Sequence, residues 1–370
     1  MNTRICHVTS VHNSDDVRIF EKECVSLAKK DKYEVHLVAP GDSRNDKNVS
    51  VIGIGKKPSS RVKRMISFSK NAYKEAIKVD ADIYHLHDPE LLRYALSFKK
   101  NGKKVIFDAH EDTIGDIKRK EYIPKIFKKV ITVILEKYLQ FIVPRIDAIV
   151  TVTPRIVENY KKYTDNVYLI TNYPIIDDLE PALSSKNEDK TMLCFAGGIS
   201  PQWSHEYIID AISRFEDVEY TFFGGASDDY INKLKQKDGW YKAHFMGKVP
   251  FDVVNRELWN ADIGMALCQY VLDDGKTGTL GNTKLFEMML HKLPVIATDY
   301  TIWVDIVEGN NCGICVDPSN VDQICDAIKF IKENPEDAKK MGENGRNAVL
   351  TEFNWSSQER TLFHVYGRIV

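Results

Sequence analysis

Short apolar runs alternating with longer amphipathic stretches constrain this chain more than any other feature. In the first half the runs fall at residues 4–9, 34–39, 82–86, 104–108, 148–152 and 166–170. Helical spacing fills most of the gaps, most clearly over 17–30. In the second half the runs fall at 192–195, 219–223, 243–245, 263–266, 295–298 and 313–316, with helical patterns at 205–214, 228–237, 283–291, 321–332 and 335–350. These runs are continuously apolar, which marks strands buried on both faces. Such strands separated by helices make parallel sheets covered on both sides. A chain of 370 residues is long enough for two domains of this kind. Residues 172–190, NYPIIDDLEPALSSKNEDK, are polar, carry two prolines and keep no period, so they are the expected linker. The expectation is α/β: two Rossmann-like doubly wound domains over 1–172 and 173–354, with the helical residues 355–370 packing back on the first. They would face each other across a cleft lined by the carboxyl ends of the strands, where such sheets bind ligands.

Charge divides the halves. Residues 1–170 hold 32 Lys plus Arg against 22 Asp plus Glu, a balance of +10, whereas the remainder holds 19 against 31, or −12. The basic half is expected to meet something anionic, a phosphorylated acceptor or a membrane surface, since no nucleic-acid motif accompanies it. Residues 118–145, KRKEYIPKIFKKVITVILEKYLQFIVPR, join basic and apolar character. They fit peripheral contact with an anionic membrane, or a buried helix with a basic first turn. No apolar run approaches the roughly 18 residues of a membrane span. The N-terminal residues lack the apolar core of a signal peptide, so a cytoplasmic location is expected, with association at the inner face of the membrane. The seven Cys are scattered; only Cys312 and Cys315 have C-x-x-C spacing, and buried reduced thiols are expected.

The chemistry is concentrated between Asn282 and Asp299, NTKLFEMMLHKLPVIATD. Glu287 stands in an apolar helical pattern, where a carboxylate needs donors, and sugar hydroxyls are good ones. Lys284 lies three residues earlier on the same face. Asn282 occupies the capping position of a helix start, a place suited to phosphate. The loop before it, Thr277, Gly278, Thr279, Leu280 and Gly281, is glycine-rich. A second glycine turn, Gly197-Gly198 followed by Ser200, leaves an expected strand and admits close approach of backbone amides to a diphosphate. At the rim of the first sheet the side chains of Asp108, His110, Glu111 and Asp112, and of His85, His87, Asp88 and Glu90, suit hydrogen bonds to sugar hydroxyls and proton traffic. Metal binding there is not expected, because the sequence fixes no further ligands. Asp15, Asp16 and Arg18 follow the first strand. There is no G-x-G-x-x-G motif in the first domain, no Walker loop, no G-x-S-x-G elbow and no H-E-x-x-H helix.

The segment KLFEMMLHKLPVIAT resembles the signature helix and strand of the family 4 glycosyltransferases, group 1, which have the GT-B fold and act with retention. SVHNSDDVRIFEKE, YHLHDPELL, DAHED and MGENGRNAVLTEFNW are similar to a subgroup that builds bacterial surface polysaccharides, and the resemblance runs over the whole length. It implies transfer of a hexosyl or N-acetylhexosaminyl group from a nucleotide-sugar, UDP by default, to a hydroxyl of a growing, lipid-linked glycan. No cofactor, no metal and no nucleic acid are implied. It implies that Glu287 holds the ribose, His110 stands beside the transferred sugar, the Gly197-Gly198 turn sits against the diphosphate, and Lys248 flanks the base. Asp16, Arg18, His87, Asp88, Glu111 and Asp112 fall on the acceptor side. Two departures follow: Thr279 stands where the family often carries a second Glu, and Gly198 and Trp203 stand where it commonly has phosphate-binding Arg and Lys. Lys284 is the expected substitute cation. A nucleotide-sugar 2-epimerase of the same architecture and a non-catalytic glycan-binding relative are the competing readings.

Overall fold

The computed structural model describes residues 2–110, 113–119, 124–176, 189–270 and 275–370. The chain divides into two compact units, Met1–Asn172 with Trp355–Val370, and Tyr173–Asn354. Both are parallel sheets flanked by helices, as the continuous apolar runs require.

The first unit is built on eight strands: β1 (Thr3–Val8), β2 (Tyr33–Ala39), β3 (Arg44–Asp46), β4 (Val49–Gly53), β5 (Ile83–Leu86), β6 (Lys104–Ala109), β7 (Ala148–Thr151) and β8 (Val167–Leu169). Their order is β3-β4-β2-β1-β5-β6-β7-β8. Every pair is parallel except β3–β4, a hairpin that the apolar pattern does not reveal because β3 is polar. Lys47 and Asn48 turn it with positive φ at both positions, the backbone a tight hairpin needs. In the β1–β5 ladder His7 stands opposite His85. The expected helix over 17–30 begins differently: Val17–Cys24 winds in wider π-type turns before the α-helix Val25–Ala28. Asp16 caps it, accepting from the amides of Arg18 and Ile19, both at 3.0 Å. The C-terminal helix Trp355–Ile369 completes this unit, with Trp355 donating to Ser26 Oγ at 2.8 Å and the backbone amide of Thr171 donating to Gln358 at 2.9 Å.

The helix Lys125–Ile142 is not the buried helix its apolar run allows. Ile126, Phe127, Val130, Ile134 and Phe141 are exposed, Ile126 by 77%. No helix among the described residues is long and apolar enough to cross a membrane.

The second unit holds six parallel strands: β9 (Thr191–Ala196), β10 (Val218–Phe223), β11 (Ala243–Gly247), β12 (Ile263–Ala266), β13 (Val295–Thr298) and β14 (Gly313–Val316), ordered β11-β10-β9-β12-β13-β14. Two helices escaped the sequence reading, Phe251–Asn260 and Thr301–Val307. The first buries only Leu258 fully, with Phe251 and Val254 on the same face lining a cavity. Helix Thr283–Leu290 is the keystone of this core, with Leu285, Phe286, Met288 and Met289 all buried. Gly264 on β12 makes room for it, since a Cβ there would lie 2.9 Å from Met288 Cβ. Each of those buried side chains contributes on the order of 1.5–3 kcal/mol. All seven cysteines are free thiols, five of them buried.

Candidate functional site

In the second unit, β9 and β10 end side by side in glycine pairs, Gly197-Gly198 and Gly224-Gly225. The Gly197 amide donates to the Phe223 carbonyl at 2.9 Å. A Cβ on Gly224 would fall 1.6 Å from the Gly197 carbonyl oxygen, so only glycine lets the two strand ends abut. A Cβ on Gly197 would fall 1.9 Å from Lys284 Cε, because the lysine stem crosses directly over that turn. Helix Thr283–Leu290 delivers the lysine, and Asn282 caps the helix by accepting from the Lys284 amide at 3.3 Å. The Lys284 ammonium lies 4.1 Å from the centre of the Trp203 ring. Burial pushes its pKa down, so a bound anion would favour the charged form.

Lys284 lines two cavities. The larger, about 460 Å³, places Gly197, Lys248, Lys284 and Glu287 around an apolar wall that includes Phe223, Leu258 and Met288. The smaller, about 230 Å³, is bounded by Trp203, Gly278, Thr279, Gly281 and Asn282. Glu287 is half-buried at the cavity edge rather than enclosed within the helix packing, because its neighbours Phe286 and Met288 face the core while it faces the opening. Gly278 has φ +79° and a Cβ there would meet Tyr300 Cβ at 2.5 Å. The Thr279 carbonyl accepts from Trp303 Nε1 at 2.9 Å and its hydroxyl accepts from the Gly281 amide at 3.0 Å, which fixes the loop. Gly198 is exposed, and Ser200 opens the short helix Pro201–Trp203 that presents the indole. Leu280 packs against the core. A carboxylate, two lysines and glycine-lined strand ends suit a ligand carrying hydroxyls at one end and negative charge at the other. Sequence reasoning overlooked Trp203 as a platform and the Gly224-Gly225 pair, although two glycines after an apolar run are the same signal as Gly197-Gly198.

In the first unit the expected residues gather, but not as a row of exposed groups. Arg18 is buried and clamps Asp108 bidentately, Nε to Oδ2 at 3.0 Å and Nη2 to Oδ1 at 3.1 Å, with Nη1 on the Ile170 carbonyl at 3.0 Å. Burial raises the Asp108 pKa, but the Arg18 charge, the His110 imidazole 3.5 Å away and the hydrogen bond from His87 outweigh it and hold the carboxyl well below the usual range. His87 is fully buried, its Nδ1 3.1 Å from Asp108 Oδ2. Asp88 is buried and accepts from Thr9 Oγ1 at 2.9 Å and from the amides of Ser10 and Val11. These three side chains therefore have partners inside the unit, and what they position is the pair at the rim, His12 and His110. The two imidazoles meet Nε2 to Nε2 at 3.2 Å, and His12 Nδ1 reaches Asp16 Oδ2 at 3.1 Å. His12 was not singled out from the sequence; its only signal is its place just after the first strand. Glu111 and Asp112 lie outside the described residues.

The His12–Asp16 contact sets a pH dependence. Burial raises the Asp16 carboxyl, yet hydrogen bonds from His12 and the Ile19 amide bring it down to about 2. Burial lowers His12, yet Asp16, with the charges of Asp88 and Asp108, raises it above its ordinary value. A depressed carboxyl stabilises above its unfolded pKa, about 4, and loses that as pH falls; a raised imidazole stabilises below about 6.5 and loses that as pH rises through its folded value. Asp16→Asn keeps the helix cap and removes the charge. Its stability deficit against wild type, measured by denaturant unfolding, is expected to be largest between about pH 4.5 and 6.5 and to shrink above about pH 8. A deficit independent of pH would refute the pairing.

The family model described as "Glycosyltransferase Family 4" matches residues 22–172, and the one described as "Glycosyl transferases group 1" matches residues 177–348. An uncharacterized glycosyltransferase of Methanocaldococcus jannaschii is 26% identical over 196 residues, which are 51% of this chain and 48% of that protein. The chain thus spans about half the length of the curated relative it matches. Among solved structures, sucrose-phosphate synthase of Thermosynechococcus elongatus superimposes with a TM-score of 0.74 at 14% identity, covering 99% of both chains. HepE of Anabaena in complex with UDP and glucose gives 0.71 at 13% identity, covering 99% of this chain and 100% of that one. WaaG, a glycosyltransferase involved in lipopolysaccharide biosynthesis, gives 0.69 at 14% identity, covering 99% of this chain and 100% of its own. At such identities these likenesses establish a shared fold.

Proposed function

Because the chain belongs to the group 1, family 4 glycosyltransferases of GT-B fold, we propose that it transfers a sugar, with retention, from a UDP-sugar to a hydroxyl of a growing, lipid-linked glycan. The observation that carries this reading is Lys284: a half-buried ammonium laid over Gly197 and against Trp203, shared by the two cavities that meet at it. Glu287 receives the ribose hydroxyls, Lys284 the diphosphate, and Lys248 flanks the base. In the reaction the bond from the anomeric carbon to the diphosphate oxygen breaks and the acceptor oxygen bonds to that carbon on the same face. The acceptor proton passes to the departing diphosphate, whose growing charge Lys284 stabilises. The roles of His110 toward the sugar and of the first unit toward the acceptor belong to the same proposal.

A thermal-shift series with UDP, GDP, ADP and their sugars tests it, since a ligand of the native state alone raises the unfolding midpoint. UDP and a UDP-sugar are expected to shift it and ADP not. No shift with any nucleotide would refute the donor site. Incubation with UDP-sugars alone, followed by NMR of the products, separates transfer from 2-epimerisation: an epimerised sugar formed without acceptor would refute transfer.

The acceptor side extends to the inner face of the membrane through helix Lys125–Ile142. Its exposed Ile126, Phe127, Val130 and Ile134 stand beside Lys128 and Lys129, an apolar and basic combination that binds anionic bilayers. Flotation with phosphatidylglycerol-containing vesicles is expected to recover the wild type, and Phe127→Asp with Ile134→Asp to lose it. Equal recovery of both would refute the contact.

A further inference from the structure

One cluster in the first unit lies behind the rim pair His12 and His110 and shares with that site only His87, through Asp108. His7 on β1, His85 and His87 on and after β5, and Glu23 in the π-type turns of Val17–Cys24 are all completely buried. One ligand-competent atom from each lies within 4.8 Å of all the others. Glu23 Oε2 stands 3.6 Å from His85 Nδ1, 3.8 Å from His7 Nδ1 and 3.9 Å from His87 Nε2, too far for hydrogen bonds. Among the described residues no hydrogen bond reaches either oxygen of this carboxylate, and its near neighbour is the Arg18 guanidinium, 3.2 Å from Oε1. Protonation does not settle it, because a carboxyl O–H would then need an acceptor that is equally out of reach.

We propose that His7, Glu23, His85 and His87 bind a divalent cation of the zinc class in a closed, four-ligand structural site. A tetrahedral zinc with bonds of about 2.0–2.2 Å spaces its ligand atoms about 3.3–3.6 Å apart. The observed separations run from 2.9 Å between His7 Nδ1 and His87 Nε2, through 3.6–3.9 Å from Glu23 Oε2 to the three rings, with every pair within 4.8 Å, so side-chain shifts of about an ångström bring the four atoms to that spacing. Three imidazoles and one carboxylate are a zinc donor set, and four protein ligands leave no open position for chemistry. The outer shell is also in place. Asp108 accepts from His87 Nδ1 at 3.1 Å, the carboxylate–histidine arrangement that turns Nε2 toward the centre, where its 2.9 Å hydrogen bond with His7 Nδ1 would give way to the metal. Tyr366 Oη lies 3.1 Å from His7 Nε2, holding that ring so that Nδ1 faces the centre. His85 Nδ1 also lies 2.9 Å from that hydroxyl and gives the contact up to take the metal. The ion would tie β1, β5 and the π-type turns together directly, and the Trp355–Ile369 helix through Tyr366. It is independent of the donor site and of the transferase reading.

The test is metal content of the full chain. Protein produced in zinc-supplemented medium and desalted is expected to carry close to one zinc per chain by plasma mass spectrometry. Reconstitution with cobalt(II) is expected to give the intense visible absorption of a tetrahedral site. Glu23→Gln and His85→Gln are expected to lose at least fivefold of the bound metal, while His244→Gln, on the second unit, keeps it. A strong chelator should lower the unfolding midpoint of the wild type and leave Glu23→Gln unmoved. Absence of bound zinc together with absence of the cobalt spectrum overturns the proposal, as does zinc retained in full by the folded Glu23→Gln and His85→Gln proteins. If both variants fail to fold, wild-type stoichiometry and the cobalt spectrum decide alone.

Discussion

Lys284→Met is expected to lower the turnover rate by about 10²–10³, equivalent to about 2.7–4 kcal/mol of lost stabilisation of the developing diphosphate charge. The size follows from isolation. Where the resembled family supplies Arg and Lys, this chain has Gly198 and Trp203, so the loss of one cation is not shared out. The same geometry predicts what will not change. Burial already holds the Lys284 pKa down, so the charge costs the apo protein stability. Methionine keeps the stem that fills the space over Gly197. The apo unfolding midpoint should therefore stay level or rise while the shift induced by UDP falls. Steady-state kinetics and thermal shift read both arms. A variant within about threefold of wild-type turnover would refute the assignment of the phosphate to this lysine.

Arg18→Met is expected to destabilise the protein by about 3–5 kcal/mol, the range for removing one partner of a buried ion pair. The guanidinium is 7% exposed and satisfies Asp108 twice, the Ile170 carbonyl once, and the charge of Glu23. Methionine fills much the same volume, so the loss is that of charge and hydrogen bonds, and Asp108 is left as a buried anion with only imidazoles around it. Arg18→Lys should recover little, because an ammonium cannot make the two parallel bonds of the guanidinium fork. Combining Arg18→Met with Asp108→Asn should recover part of the loss, since both ends of the pair are then neutral. Denaturant unfolding measures all three, and a deficit below about 1 kcal/mol for Arg18→Met would show that the clamp is not a stabilising element.

How far the sequence carried depends on what each feature owes to distant residues. Strands β12, β13 and β14 were placed to the residue, since a strand buried on both faces writes itself as a solid apolar run. Hairpin β3–β4 left no such mark, being at the sheet edge with β3 half-exposed and polar. Helix Phe251–Asn260 carries Phe251, Val254 and Leu258 at helical spacing on one face, a stripe that was passed over. In the second unit the chemistry was legible because Asn282, Lys284 and Glu287 lie within six positions of one another and a single helix presents them. In the first unit Asp16, His87, Asp108 and His110 were singled out but their arrangement was not, because with His12 they come from three separate segments, and only the sheet order brings them together. Arg18 shows the difference most clearly. As a sequence residue near a helix start it reads as available to a ligand; its true partner, Asp108, is ninety positions away.

The helix Trp355–Ile369 gives the molecule a particular order of assembly. It belongs to the first unit, yet it is synthesised after all of Tyr173–Asn354. The second unit can close on itself as soon as Asn354 has emerged. The first has its whole sheet by then but lacks the side chains that cover one face of it, among them Tyr366 beside His7 and His85, and Trp355 over Ser26. On a translating ribosome the earlier half is therefore the later one to mature. A stop codon between Trp355 and Tyr366 would leave the second unit attached to a first one without the hydroxyl that meets His7 and His85.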